Sequence, residues 1–154
     1  MTTKTDAWPD IAGRLTPRGH VLAVRVYYED TDFSGLVYHA SYLKFMERAR
    51  SDMLRLLDVS HDAMDQGAYG ESLAFAVRHI DVSFVKPARI DDLVEVETVV
   101  AKTAGARLVL DQSVRRAGDC LVDATVTVVT INASGRARRL PAAVREKLAA
   151  LEPE

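Results

Sequence analysis

Several kinds of site are excluded by what this sequence of 154 residues lacks. Cys120 is the only cysteine, so one chain can form neither an internal disulfide nor a thiolate metal cluster. We expect its thiol to behave as a small residue of the core. The formal net charge is only −2, with basic and acidic residues in nearly equal number. This balance argues against a nucleic-acid partner, which would need a basic face.

Long apolar runs are also missing. No uncharged stretch is long enough to span a membrane, and no apolar segment behind a basic start opens the chain. The sequence therefore predicts a cytoplasmic protein with no integral membrane segment. The share of hydrophobic residues, 48%, is typical of one globular domain. Because Pro9, Gly13 and Pro17 interrupt a polar start, we expect residues 1–17 to form a flexible N-terminal arm and residues 18–154 a single domain.

The hydrophobic pattern changes its period along the chain. Residues 21–26 read as a β-branched strand, whereas apolar residues from Tyr42 to Leu57 recur at the spacing of one helical face. Four further strands are expected around residues 75–84, 94–100, 108–114 and 122–128. This order predicts an α+β fold in which a curved antiparallel five-stranded sheet wraps a long central helix.

Local signals refine this pattern at five places. The alternation in the second strand changes parity near Arg78 and His79, which predicts a β-bulge there. Gly105 and the corner at residues 117–119 mark hairpin turns. Ser60 is a candidate cap for a short helix, and Pro141 can open a terminal helix.

Chemistry-bearing residues are concentrated between the first strand and the long helix. A carboxylate, a phenol and an imidazole lie around one turn that contains glycine, a convergence that indicates a site. The spaced motif reads Tyr28-x-x-Thr31-Asp32-x-x-Gly35-x-Val37-Tyr38-His39-x-x-Tyr42, followed by Glu47-Arg48-Ala49-Arg50.

This motif resembles the hotdog-fold acyl-CoA thioesterases, in the branch that contains 4-hydroxybenzoyl-CoA thioesterase and the Tol-Pal-associated thioesterase. The element order of residues 20–135 is similar as well. The resemblance implies the hotdog fold, subunits that pair edge to edge as a homodimer or homotetramer, and active sites between subunits. It also implies an acyl-CoA substrate and hydrolysis to free acid and CoA without a cofactor.

The resemblance assigns roles to particular residues. Asp32 matches the catalytic carboxylate, as nucleophile or general base, and His39 and Tyr28 match the groups that accompany it. Backbone N–H groups at the helix start would stabilise the oxyanion. The residues predicted to contact the substrate, including basic groups for the phosphates of the coenzyme, are Gly35, Val37, Tyr38, Ser83, Lys86 and Arg89.

Each assignment has a structural alternative. Asp32 can serve as a turn residue that accepts local N–H groups, and His39 as a surface residue at a helix start. Tyr28 can be a strand tyrosine packed on the helix. Ser83, Lys86 and Arg89, the candidates for binding the coenzyme, can equally belong to a solvated strand end.

Other chemistries fit the sequence poorly. The stretch from Asp30 to Gly35 imitates the first half of a calcium-binding loop, but its twelfth position is Ser41 instead of glutamate. The four histidines show no paired ligand spacing, and Gly-x-Ser-x-Gly is absent, so neither a metal site nor a serine-hydrolase elbow is predicted. Two alternatives remain on the same fold: an enoyl-CoA hydratase or dehydratase, which would release no thiol, and a non-catalytic acyl-CoA binding protein.

Overall fold

The structure, a computed structural model, describes residues 11–154. Strands and helices follow the predicted α+β order, with one strand more than expected. The elements are β1 (Arg14–Thr16), β2 (Gly19–Arg25), α1 (His39–Leu56), α2 (His61–Asp65), β3 (Leu73–Phe84), β4 (Leu93–Ala104), β5 (Arg107–Arg116), β6 (Asp119–Asn132) and α3 (Ala142–Ala149). A single 3₁₀ turn, Tyr28–Asp30, lies between β2 and α1.

The strands form one antiparallel sheet in the order β1-β2-β4-β5-β6-β3. The sheet has six strands, so the prediction of five is corrected by β1. Residues 14–16 pair with β2 in a hairpin, and the predicted arm is therefore wrong for this part of residues 1–17. Three residues between Gly13 and Pro17 are too few to show an alternating pattern, so periodicity does not indicate this strand. Residues 1–10 lie outside the described residues.

Helix α1 packs one face on the sheet. Tyr42, Phe45, Met46 and Ala49 are buried in one cluster with residues of β2, β4, β5 and β6, and Met53 begins a second cluster. Full burial of a side chain such as Phe45 contributes about 1.5–3 kcal/mol, so this face fixes the helix on the sheet. In the part of the chain from residue 11 onward, no helix is long and apolar enough to cross a membrane.

Local predictions about turns and caps are confirmed. The register of β3 against β6 shifts between Val77 and His79, where the change of parity placed a bulge. Gly105 and the pair Ala117 and Gly118 adopt positive φ in the hairpin turns, a conformation that glycine tolerates without a steric penalty. The hydroxyl of Ser60 accepts the N–H of Ala63 at 3.1 Å and caps α2.

Cys120 lies at the edge of the core and is only partly buried. It is the second residue of β6, directly after the hairpin turn, and its Sγ donates to the carbonyl of Val122 at 3.5 Å. The expectation of a core cysteine is therefore corrected, because a position next to a turn leaves one side of the thiol uncovered.

A buried polar cluster joins α1 to β2 and to the segment before β1. Asp52 is buried, and its Oδ2 lies 2.6 Å from Nε2 of the fully buried His20. The same oxygen accepts the N–H of Gly13 at 2.8 Å, and Oδ1 pairs with Arg55. Buried polar groups of this kind stabilise a fold only while they remain hydrogen-bonded.

We predict that Asp52→Ala lowers the free energy of unfolding by about 2–3 kcal/mol, since it leaves the buried His20 and the partly buried N–H of Gly13 without their acceptor. Urea denaturation monitored by circular dichroism measures this change. Glu146→Ala, which removes an exposed carboxylate from α3, is the control and should shift stability by no more than about 0.5 kcal/mol. Equal stability of the two variants would contradict the prediction.

Candidate active site

Asp32 lies in a short loop that the backbone closes on itself. Its N–H donates to the carbonyl of Leu36 and its carbonyl accepts the N–H of Gly35, each at 3.0 Å. An antiparallel bridge between Thr31 and Val37 closes the two ends. Gly35 has a φ of +81°, a left-handed conformation that glycine adopts without a steric penalty. The backbone of this loop therefore favours glycine at this position.

The carboxylate of Asp32 is held by one neighbour, Ser34. Oδ1 accepts the N–H of Ser34 at 2.8 Å and also the Ser34 hydroxyl. These hydrogen bonds lower the pKa of Asp32 below its usual value, and His39 lowers it further, whereas desolvation opposes them. Asp32 is therefore a carboxylate at neutral pH, exposed at the mouth of a groove.

This groove has a volume of about 400 Å³ and brings residues from three segments together. The Asp32 loop forms one wall, the start of α1 a second, and the end of β3 with the following chain the third. Its lining residues are Asp32, Leu36, Val37, His39, Tyr42, Phe84, Val85, Lys86 and Pro87. The motif thus places its carboxylate and its imidazole on the same cavity.

His39 is the first residue of α1, and its ring lies among aromatic side chains. The ring centroid is 4.4 Å from that of Tyr38 and 6.1 Å from that of Phe84. Helix α1 has no side-chain cap. The backbone N–H groups of His39 and Ala40 lie in its first turn, where no carbonyl of the helix can accept them. Such groups favour a negative charge beside them.

A buried alanine holds the chain that follows β3 against the Asp32 loop and against α1. Ala88 is fully buried, its carbonyl accepts the N–H of Val37 at 2.9 Å, and its N–H donates to the hydroxyl of Tyr42 at 2.9 Å. A backbone bridge between Leu36 and Arg89 lies beside these bonds. The sequence showed Tyr42 only as a residue of the helical face, because a hydrogen bond across 46 positions leaves no local pattern.

An ion pair fixes the chain that follows Ala88. Arg116 donates from Nη1 to Oδ2 of Asp92 at 2.7 Å and to the carbonyl of Pro87 at 3.3 Å. Asp92 Oδ2 also accepts the N–H of Arg89 at 2.9 Å. The N–H of Arg89 and the guanidinium of Arg116 lower the pKa of Asp92, so this carboxylate stays charged. Sequence reasoning missed both residues of this pair.

Arg50, the last residue of the motif, joins α1 to the sheet through a hydrogen-bond network. Arg50 donates from Nη1 to Oε1 of the buried Gln112 at 3.0 Å. Gln112 in turn donates to the carbonyl of Met46 at 3.0 Å and to Oγ1 of Thr98 at 2.8 Å. Desolvation lowers the pKa of Arg50. Arg50 therefore ties α1 to β5 some distance from Asp32.

Other predicted site residues lie at varying distances from the groove. Val37 and Lys86 line it, and the ammonium group of Lys86 is 3.7 Å from a carboxylate oxygen of Asp119. Tyr38 is partly exposed at the helix start, whereas Ser83 and Arg89 are exposed outside the lining. Their contact with a coenzyme stays a prediction.

Tyr28 is not brought to the groove. It lies in the 3₁₀ turn, its side chain is 82% exposed, and it is not among the groove's lining residues. The backbone leaves the sheet at Arg25, so Tyr28 is neither a strand residue nor packed on α1. Its predicted assistance to Asp32 therefore has no support from this geometry.

Two further cavities contain neither Asp32 nor His39, and the same is true of one of about 160 Å³ lined by residues of β4, β5 and β6. The larger, about 600 Å³, lies between β2 and α1 and has a rim of mixed charge. The smaller, about 100 Å³, lies near α2 and includes Phe75, Val77 and His61. Because the carboxylate and the helix start meet only at the 400 Å³ groove among these cavities, we take that groove as the candidate active site.

Comparison with known proteins agrees with this assignment. Residues 34–122 match the Thioesterase superfamily model. "Acyl-CoA thioester hydrolase YbgC" of Escherichia coli is 44% identical over 110 residues, covering 71% of this chain and 79% of that protein. "Acyl-CoA thioesterase YbgC" of Haemophilus influenzae is 40% identical over 118 residues, covering 77% and 85%. The structure of a "Probable Thioesterase" from Bartonella henselae superposes with a TM-score of 0.78 at 43% identity, covering 80% of this chain and 99% of that one.

The sheet, the helix on its face and the charged groove at the helix start define a hotdog-fold enzyme. The chain belongs to the thioesterase superfamily, since the family model spans more than half of it and the relatives above share their sequence across most of its length.

We predict that Tyr42→Phe lowers the free energy of unfolding by about 1–3 kcal/mol, because the buried N–H of Ala88 loses its acceptor. Urea denaturation gives the free energy, and hydrogen exchange at the amide of Ala88 should become faster. Tyr38→Phe is the matched control, since the Tyr38 side chain is 47% exposed. Unchanged stability and exchange in the Tyr42 variant would show that this hydrogen bond contributes nothing.

Proposed function

We propose that this enzyme hydrolyses acyl-CoA thioesters to free acid and CoA, with Asp32 as nucleophile or general base. The observation that carries the proposal is a charged carboxylate at the mouth of a groove whose other wall begins a helix. The names of the relatives, an acyl-CoA thioester hydrolase and an acyl-CoA thioesterase, support the substrate class.

Each group in the groove has a place in this reaction. As a base, Asp32 would take a proton from water, the resulting hydroxide would attack the thioester carbonyl, and the C–S bond would break as the thiolate leaves. As a nucleophile, Asp32 would attack the thioester carbonyl and expel the thiolate, forming an anhydride that water then hydrolyses to the free acid and Asp32. In both routes the carbonyl oxygen becomes negative, and the N–H groups at the start of α1 are suited to stabilise it. His39 lies at the same helix start and would orient the substrate or donate a hydrogen bond.

A second turn in the chain supports a chemical role for the charge of Asp32. In residues 132–136, Asn132 occupies the position of Asp32: its Oδ1 accepts the N–H of Ser134 at 3.1 Å and the Ser134 hydroxyl at 2.8 Å. Its N–H donates to the carbonyl of Arg136 at 2.9 Å, and Gly135 has a φ of +81°. The turn at Asn132 therefore forms the same hydrogen bonds with a neutral amide, so the turn at Asp32 does not need a carboxylate for its geometry.

We predict that Asp32→Asn lowers thioester hydrolysis by at least about 100-fold, because the amide can neither accept a proton nor attack the carbonyl. Release of free thiol from a panel of acyl-CoAs measures the rate. Since Asn132 supports the same turn, the variant should keep the stability of the wild type. Asp65→Asn, at the end of α2, is the control and should keep full activity.

Full turnover by Asp32→Asn would remove Asp32 from the mechanism. An absorbance change of an enoyl-CoA without thiol release would indicate a hydratase instead. Tight binding of acyl-CoA without either reaction would indicate a binding protein.

We further propose that two copies pair through β3. This strand is an edge of the sheet, twelve residues long, with Val77 and Phe84 about half exposed. A long edge with unpaired backbone groups is a site for another strand, and twofold symmetry makes the added strand antiparallel. Such pairing would set the end of β3 that carries Phe84 beside the start of β3 in the second copy.

This arrangement would complete the site. Phe84 lines the groove of Asp32, whereas Phe75 and Val77 near the start of β3 line the smaller apolar cavity. The acyl chain would then extend from Asp32 of one copy toward that cavity of the other. Active sites between subunits are also what the resemblance to hotdog thioesterases implies.

We predict a solution mass of two or four copies, and a shift toward one copy in Val77→Asp, because paired edges would bring the two charges together. Sedimentation velocity measures the mass, and hydrolysis should fall with the loss of pairing. Leu15→Asp on the opposite edge is the matched control, since Leu15 is 43% exposed and Val77 is 46% exposed. A wild-type protein that sediments as a monomer would contradict the proposed pairing.

A further inference from the structure

We propose that Ser34 is a positioning residue, which holds Oδ1 of Asp32 and leaves Oδ2 as the oxygen that reacts. The inference rests on the proposed function and adds to it which oxygen of the carboxylate acts and which side chain aims it.

The hydrogen bonds divide the carboxylate into two unlike oxygens. Oδ1 accepts both the N–H and the hydroxyl of Ser34. Among residues 11–154, no group donates to Oδ2. An oxygen that already accepts two hydrogen bonds is a weaker base and nucleophile than one with free lone pairs. With Oδ1 fixed, rotation of the carboxylate about its bond to Cβ is restricted, and the direction of Oδ2 is set.

The charges around the carboxylate do not perform this task. His39, from the start of α1, lowers the pKa of Asp32 through space, and Lys86, from the chain after β3, lines the same groove. Neither is hydrogen-bonded to the carboxylate. Ser34 is therefore the side chain that orients Asp32, and its hydrogen bonds are the main cause of the lowered pKa of this carboxyl.

The turn at Asn132 gives a natural comparison. There Ser134 makes the same two hydrogen bonds to Oδ1 of Asn132, and the N–H of Arg136 adds a third at 3.0 Å. In the Asp32 turn the corresponding N–H, that of Leu36, is directed instead to the hydroxyl of Ser34 at 3.4 Å. The Ser34 hydroxyl thus receives one hydrogen bond and gives one to the carboxylate, which aligns it toward Oδ1.

Ser34→Ala tests the inference by two independent readouts. We expect kcat for acyl-CoA hydrolysis to fall about three- to tenfold with KM changed less than twofold, since the lost hydrogen bond to a charged group is exposed to water. Titration of the ¹³C carboxyl resonance of Asp32, assigned with the Asp32→Asn variant, should show a higher pKa in Ser34→Ala than in the wild type. Ser34→Thr, which keeps the hydroxyl, should restore most of both properties.

Ser134→Ala is the matched control because it removes the same hydrogen bond from the other turn. It should leave kcat, KM and the titration of Asp32 unchanged. Wild-type kcat and an unchanged titration in Ser34→Ala would overturn the inference, as would a rise in KM alone, which would make Ser34 a substrate contact. If Asp32→Asn keeps full activity, the proposed mechanism fails even where the titration of Asp32 still responds to Ser34.

Discussion

The location of the candidate site depends on how α1 is buried on the sheet. Tyr42, Met46, Ala49 and Met53 lie on the buried face, and burial of this row fixes both the rotation and the height of the helix. With these fixed, the first turn of α1 and His39 arrive at the end of β3, beside Phe84. Tyr42 has two roles, since its ring belongs to the core and its hydroxyl holds Ala88. The apolar packing of one helix thereby determines the shape of a charged groove.

Electrostatics acts on this frame only locally. The groove contains an exposed carboxylate whose pKa is lowered mainly by the two hydrogen bonds from Ser34, without a buried ion pair. The buried pairs and networks, those of Asp52 with His20 and of Arg50 with Gln112, lie elsewhere and join α1 to strands. This division suits an enzyme, because a charged group at the surface keeps its reactivity, whereas buried polar groups confer a defined geometry.

The sequence predicted the features that leave a local pattern. Strand alternation, the helical face, the hairpin glycines and the change of parity at Arg78 and His79 each correspond to a backbone feature of the structure. Strand β1 left no such pattern, because it is three residues long and is formed by pairing with β2. It is a tertiary effect and cannot be recognised by periodicity.

The same distinction applies to the site. Asp32 and His39 were found because they belong to a spaced motif, and the structure places both on one groove. Tyr28 belongs to the same motif but lies outside the groove, since the chain turns away from the sheet before it. The contacts of Ala88 with Tyr42 and of Asp92 with Arg116 join residues far apart in sequence, and no pattern in one chain indicates them. Ser34 was visible beside Asp32, although serine two positions after aspartate is also common in ordinary turns.

The bulge of β3 has a consequence for how this strand can vary. Phe75 and Val77 precede it and line one cavity, whereas Phe84 follows it and lines the other. Because the bulge adds one residue to β3, the odd-numbered side chains before it and the even-numbered side chains after it point to the same side of the sheet. Each half of the strand can therefore gain or lose residues only in pairs, and a single insertion or deletion would invert one half and expose an apolar wall to water.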